Sequence, residues 1–348
     1  MNNTGEPIWQ KDNKMRAVRL YGIKDFRLSD EPYPDSKSGE NIIKISAIGI
    51  CGSDSHWYQE GGIGGTTLTT PLILGHEFSG VLVDGPKSGQ RVTVDPGISC
   101  GSCEACREGS PNLCPDVQYM ASGTMDGAMR EFLSWPAQNI YPLPDSISDE
   151  EGAFIEPLGI AIHAMNLQPV RPGMSVGIFG SGPIGLLLLQ LALLSGATRV
   201  FVTDKIDSRL QLALQLGATD VFYADGAESK TIWSASYKRG VDIAFEAAGD
   251  NAAVETAVST AKYGGKVVIV GITSDNTTSF SAGTSRRKGL TIKIVRRMKH
   301  AIPTAINLLS HKKIDVLPLI THRFPFEQYQ EAFDIAASRQ GIKVMIKF

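Results

Sequence analysis

The sequence predicts an α/β chain of two domains, an antiparallel, barrel-like β domain and a doubly wound parallel sheet. Three observations predict it. The chain has 348 residues, room for about two domains at roughly 150 residues each. Up to about Met165 the apolar residues alternate in short runs between Gly, Pro and Asp, the mark of strands. Beyond that point short apolar strands alternate with helical stretches, which calls for a parallel sheet covered by helices.

Residues 1–14 are polar and lack the apolar stretch of a secretory signal, so a loose tail is expected, with ordered structure from Met15. Strands are expected over 15–20, 41–50 and 72–83. In the second, Ile43, Ile45 and Ala47 share one face and Ile42, Lys44 and Ser46 the other. A strand at 175–179 ends in Gly-Ser-Gly-Pro, and a helix over 183–195 stops at Gly196. A strand follows at 199–204. Asp207 then caps a helix that runs to Leu216 and stops at Gly217. Further strands are expected at 221–223, 241–245 and 266–270, with a helix over 252–263. Segments 303–311 and 326–337 read as helices and 343–348 as a strand, a tail expected to return to the first domain. The longest apolar run, 184–194, is about half of a membrane span, so it reads as a buried helix.

Composition excludes several classes. A formal net charge of −2 does not suit a nucleic-acid binder, which needs a basic excess. A hydrophobic content of 42 % with 20 % charged residues excludes wholesale disorder. No membrane partner is expected. Five cysteines, an odd number with four of them crowded together, point to metal in a chain with no export signal rather than to disulfides.

Gly180-Ser181-Gly182-Pro183-Ile184-Gly185 matches G-x-G-x-x-G, a motif weak alone. Here it follows an apolar strand and opens a helix, and Asp204 ends the next strand 19 residues beyond Gly185. Gly180 permits the tight turn, Gly182 lets the backbone approach a pyrophosphate, and Gly185 lets helix and strand pack closely. Pro183 and Ile184 start the helix whose free N–H groups face the phosphates. Asp204 would accept from the ribose hydroxyls and repel a 2′-phosphate, which favours NAD over NADP. Arg209 could cover the adenine. The plain alternative is a strand–helix turn that binds nothing.

Cys100, Cys103, Cys106 and Cys114 read C-x2-C-x2-C-x7-C. Four thiolates close tetrahedrally around Zn²⁺ and leave no open position, so the site would be structural. Four reduced surface thiols, or iron–sulfur, are the alternatives. Cys51, His76 and Glu156 compose a second, catalytic kind of zinc site with one open position. Glu156 stands in an apolar setting, where a lone carboxylate is costly. No spacing rule ties these three together, and a core cysteine, a structural histidine and a helix-start carboxylate remain the bland alternatives.

With these residues in view, the chain resembles the zinc-dependent medium-chain dehydrogenases, in particular the sorbitol (L-iditol) dehydrogenase branch, from Met15 to Phe348. The resemblance is carried by Gly49-Ile50-Cys51-Gly52-Ser53-Asp54-Ser55-His56-Trp57, by Leu74-Gly75-His76-Glu77-Phe78-Ser79-Gly80, by the four-cysteine lobe, by Glu156-Pro157-Leu158 with His163-Ala164, and by Thr321-His322-Arg323-Phe324-Pro325. It implies a GroES-like catalytic domain from 1–164 and 298–348, a Rossmann domain from 165–297, and an active site in the cleft between them. It implies two zinc ions, one catalytic and one structural, and NAD. Cys51, His76 and Glu156 would hold the catalytic zinc. Glu77 is either a supporting residue or a direct ligand that alternates with Glu156 or water. Asp54 would orient His76. Ser53 and His56 would form the proton relay for oxidation of a secondary alcohol, most of all a polyol, to a ketose. Relatives are tetramers or dimers, so a cytoplasmic homo-oligomer acting on a small alcohol is the expectation.

The chain departs from the branch where an Arg-Tyr pair contacts the polyol: here the pair is Arg297-Met298. Tyr58 and Arg297 are the candidate substrate contacts. The basic stretch 285–300 is either a solvated or subunit-facing surface or a phosphate site for a sugar-alcohol phosphate. Threonine, sugar and polyol-phosphate oxidation are alternatives within the family. A non-catalytic NAD-binding protein, or an interaction module built on the zinc lobe, is the alternative outside it.

Overall fold

The computed structural model describes residues 14–123, 125–273 and 277–348. The expected tail therefore lies outside the described residues, apart from Lys14, where the first strand begins. Contacts divide the chain into two units: residues through Glu156 together with Ile320–Phe348, and Pro157–Leu319. The sequence places these boundaries at 164/165 and 297/298. Segments 157–164 and 298–319 belong to the second unit by contact, and Met298 packs there on Gly159, its Sδ 2.5 Å from where a Cβ would stand.

The first unit is mostly antiparallel, with one parallel pair between Ile320–Pro325 and Lys343–Lys347. Its largest sheet runs in the order Ile140–Pro142, Arg91–Val94, Glu77–Leu82, Glu40–Gly49, Lys343–Lys347, Ile320–Pro325, with Phe132–Pro136 also pairing on Glu40–Gly49. A second sheet joins Asp25–Pro32, Lys14–Gly22 and Leu72–Ile73. The C-terminal strand does return to this unit, pairing Met345 with Gly49. Alternation gave the right faces in Glu40–Gly49, where Ile43, Ile45 and Ala47 are all buried. The single strand expected over 72–83 is two strands that join different sheets. The break is Gly75, at φ +90°, a conformation that glycine adopts without penalty. A Cβ there would also collide with Ile48.

The second unit is a parallel sheet in the order Asp220–Tyr223, Arg199–Asp204, Ser175–Phe179, Val241–Glu246, Ala261–Ile269, Thr291–Ile294. The first strand in sequence lies in the middle and the order reverses beside it, the doubly wound pattern. Helices Pro183–Leu194, Asp207–Gln215, Glu228–Ala235 and Asn251–Thr260 connect the strands. The helix expected over 252–263 ends at Thr260, because Ala261 already pairs with Val241 in the sheet. Asp207 is the first residue of its helix rather than its cap. The cap position is Ile206, which has no capping side chain, and Asp204 Oδ1 accepts from Ile206 N at 3.0 Å just before the helix. Among the described residues no helix is long and apolar enough to cross a membrane.

At the other end of this sheet Asp242 is buried and accepts from Arg239 at 2.7 Å, from Lys262 at 2.5 Å and from Ser175 N at 2.9 Å. Burial opposes its charge, but the hydrogen bonds from Arg239, Lys262 and Ser175 outweigh it and hold the carboxyl well below the usual range. A depressed carboxyl stabilises the fold above its unfolded pKa and loses that contribution as pH falls through the folded one. Asp242→Asn is therefore expected to cost about 2 kcal/mol at neutral pH. The loss should shrink in acid, as measured by urea unfolding at pH 7 and about pH 3.

Candidate active site

Cys51 ends the strand region of Glu40–Gly49 and is the residue before the helix Gly52–Glu60. His76 follows the Gly75 turn. One carboxylate joins the two. Asp54 is 1 % exposed; its Oδ2 accepts from Cys51 N at 3.0 Å and its Oδ1 from Gly75 N at 3.1 Å. Cys51, His76 and Glu77 offer donor atoms that all lie within 4.8 Å of one another. His76 Nδ1 is buried without a hydrogen-bond partner, 3.7 Å from Asp54 Oδ1. A soft thiolate, an imidazole and a carboxylate are a zinc donor set, and an orphaned buried nitrogen beside them fits a metal.

Glu156 is not brought into that cluster. It opens the helix Ile155–Leu167, buried, and its Oε1 accepts from Tyr119 Oη at 2.8 Å. Burial lifts its carboxyl to about 7 against the pull of His76. Glu77, by contrast, is paired with Lys343, Nζ to Oε2 at 2.5 Å, both side chains 2 % exposed. Lys343 also donates to Ile50 O at 3.1 Å. Burial works against its charge, and Glu77, Cys51 and Glu156 raise it nonetheless. Sequence reasoning missed both Tyr119 and Lys343. Neither carries a local signal, and Lys343 reaches Glu77 across 266 residues of chain.

Ser53 and His56 sit in the first turns of Gly52–Glu60, three residues apart and on one helix face. His56 Nδ1 lies 2.9 Å from Glu60 Oε1. A carboxylate only accepts there, so Nδ1 is assigned the proton and Nε2 is left as an acceptor. Tyr58 is a correction. It is fully buried, stacked on Phe26 at 5.2 Å, and donates to Asp334 Oδ1 at 2.6 Å. It belongs to the core, because a large ring at this helix position faces the sheet. Arg297, in the second unit, adopts φ +54° beside the buried Met298.

The four-cysteine lobe holds together. The ligand atoms of Cys100, Cys103, Cys106 and Cys114 lie within 4.8 Å of one another. Backbone N–H groups of Ser102 and Cys103 draw the Cys100 thiol down to about 6, toward the thiolate that zinc requires.

In the second unit Gly180 adopts φ +103°, and a Cβ on it would sit 2.7 Å from Ala248 N. In front of Gly182 the nearest atom to a Cβ is Arg209 Nη1 at 3.8 Å, which leaves room for a phosphate. The helix Pro183–Leu194 begins there without a side-chain cap, so its N–H groups face that room. Asp204 Oδ2 accepts from Ser181 N at 2.7 Å and Ser181 Oγ at 2.9 Å. The loop and its acidic residue thus form one unit that fits a dinucleotide. Two cations of the basic stretch are spent on helix ends: Lys288 donates to Ser259 O at 2.5 Å, and Lys293 to Leu167 O.

Residues 37–145 match the alcohol dehydrogenase GroES-like domain and residues 183–311 the zinc-binding dehydrogenase domain. The chain belongs to the zinc-binding dehydrogenase family and is an NAD-dependent zinc alcohol or polyol dehydrogenase. Within it the chain falls in the sorbitol dehydrogenase branch. It is 36 % identical over 341 residues to the sorbitol dehydrogenase of Bacillus subtilis strain 168, covering 95 % of this chain and 97 % of that one. The structure of galactitol-1-phosphate dehydrogenase from Escherichia coli superposes with a TM-score of 0.88 at 30 % identity, covering 96 % of this chain and 100 % of that one. A short chain alcohol dehydrogenase from E. coli CFT073, complexed with NADH, gives 0.88 at 28 % identity, covering 97 % and 100 %.

Two outcomes follow from this geometry. Cys114→Ser should lower the zinc content by about one ion per chain, by elemental analysis, since three sulfurs close a tetrahedron poorly. Asp204→Ala should weaken NAD about tenfold through a lost charged acceptor and shift preference toward NADP. An unchanged NAD-to-NADP ratio in titrations would limit Asp204 to holding Ser181.

Proposed function

We propose that this chain oxidises a secondary alcohol of a polyol to a ketone with NAD. The observation that carries this is the Cys51–His76–Glu77 donor cluster, in a chain whose relatives include sorbitol dehydrogenases. Zinc would supply Lewis acidity toward the substrate hydroxyl, and NAD the hydride-accepting ring. Cys51 and His76 would hold the metal with a carboxylate from Glu77 or Glu156, and the four-cysteine lobe would hold a second, structural ion. Ser53 takes the proton of the substrate hydroxyl, and His56 passes it on through the nitrogen that Glu60 leaves free. Lys343 holds Glu77 in place and Tyr119 holds Glu156. The loop Gly180, Gly182, Gly185 with the helix start at Pro183 and Ile184 receives the pyrophosphate, Asp204 the ribose and Arg209 the adenine. The same proposal includes a cytoplasmic homo-oligomer, tetramer or dimer, in keeping with five free cysteines.

The test is NADH formation by zinc-loaded protein over a panel of polyols, polyol phosphates, aldoses and L-threonine, with and without a chelator. Chelator-sensitive turnover on a polyol is expected. Cys51→Ala should abolish that turnover and leave NADH binding within about twofold. Turnover by zinc-free Cys51→Ala at the wild-type rate would sink the zinc mechanism. Activity on phosphates alone would move the substrate class to polyol phosphates.

A further inference from the structure

Glu246 ends the strand Val241–Glu246 and is completely buried. A carboxylate in that position is costly unless several donors reach it. Here they come from the backbone of two loops. Oε1 accepts from Ala248 N and Gly249 N, both at 2.7 Å, and Oε2 accepts from Gly271 N at 3.2 Å. The first loop follows Glu246 itself; the second follows the neighbouring strand Ala261–Ile269.

Position turns this clamp from a fold support into something more. Glu246 pairs with Phe179 across the two central strands, where the strand order reverses. In such sheets the crevice beyond the carboxyl ends of those strands is the ligand site. Gly180 follows Phe179 directly and opens the pyrophosphate loop. It packs on the clamped segment so closely that a Cβ would stand 2.7 Å from Ala248 N and 2.9 Å from Ala247 C. The second loop closes on the first in the same way, with a Cβ on Gly271 placed 2.6 Å from Gly249 Cα and 2.8 Å from Glu246 Oε2. Three strand-end loops therefore meet around one carboxylate.

We infer that Glu246 is a positioning residue for the cofactor: through Ala248, Gly249 and Gly271 it fixes the crevice wall that sets the Gly180–Gly182 backbone. Its side chain is completely buried. Resting on the NAD-dependent function proposed above, it acts by holding the N–H groups of the loop where a pyrophosphate needs them. Glutamine cannot replace it. Its amide offers one accepting oxygen and turns an NH₂ toward a backbone donor, so one of the two loops loses its anchor.

The experiment is an NADH titration of the full chain by fluorescence, with melting temperatures, for the wild type, Glu246→Gln and Glu246→Asp. The Kd for NADH is expected to rise about tenfold in Glu246→Gln. The KM for NAD should follow it while the KM for polyol stays within about twofold. Glu246→Asp, which keeps the charge on a shorter arm, should fall between. A residue that only supports the fold would lower the melting temperature and leave the NADH affinity of the folded chain unchanged. Wild-type Kd in the variants would overturn the inference alone. Absence of NADH binding by the wild type would overturn the NAD-dependent function and this inference with it. If Glu246→Gln gives no folded protein, the Kd of Glu246→Asp decides: an increase supports the clamp and the wild-type value overturns it.

Discussion

A buried carboxylate that accepts two backbone N–H groups holds the active site of the first unit in register. Asp54 reaches the start of one helix at Cys51 and the turn at Gly75, segments 21 residues apart from it in the second case. The donor residues Cys51 and His76 each sit beside one of these anchors, so the spacing of their donor atoms is inherited from a side chain that need not touch metal. The physics is general. Helix starts and tight turns leave N–H groups unpaired, and a carboxylate satisfies several at once in a medium where each bond is strengthened. Asp204 with Ser181 and Ile206, and Glu246 with its two loops, repeat the device in the second unit. The cost is visible in the acid–base chemistry: burial raises the carboxyls of both Asp54 and Glu246.

Charge balance sets the character of the donor cluster. Cys51, Asp54, Glu77 and Glu156 gather about His76 and Lys343, with all but Cys51 buried. The two glutamates are compensated unequally. Glu77 shares its charge with an ammonium, whereas Glu156 has only a phenol hydroxyl. Burial carries Glu156 up to about 7 against the pull of His76, and the neighbouring charge of Glu77 adds to the rise. A dication beside it would reverse the balance, because a close positive charge favours the ionised form. The pairing with Lys343 ties Glu77 to the returning C-terminal strand.

How much of this was legible depended on distance along the chain. The dinucleotide loop and the four-cysteine lobe are written in local spacing, and both assemble as their spacing implies. The catalytic cluster is written in three separate segments, and only resemblance joined them. Within that cluster the sequence left Glu77 and Glu156 open as the carboxylate ligand, and the donor atoms within 4.8 Å of one another are those of Cys51, His76 and Glu77. Lys343 was beyond reach: a lysine in a terminal strand reads as surface, and only the return of that strand beside Glu40–Gly49 buries it. Glu246 had a faint local signal, a carboxylate closing the expected strand Val241–Phe245 just before Ala-Ala-Gly. In the basic stretch, Lys288 and Lys293 serve carbonyls at the ends of helices.

The resemblance implies an Arg-Tyr pair where this chain has Arg297-Met298, and Met298 has a packing role of its own. At the position where the resemblance implies a tyrosine against polyol, Met298 is buried and its sulfur fills the space above Gly159. A hydroxyl-bearing ring is therefore replaced by an unbranched apolar side chain that has turned inward, as methionine readily does in irregular gaps. Tyr58 offers no substitute, because its hydroxyl is committed to Asp334 and its ring to Phe26. The proposed reaction therefore rests on the Cys51–His76–Glu77 donor cluster and not on Tyr58 or Met298.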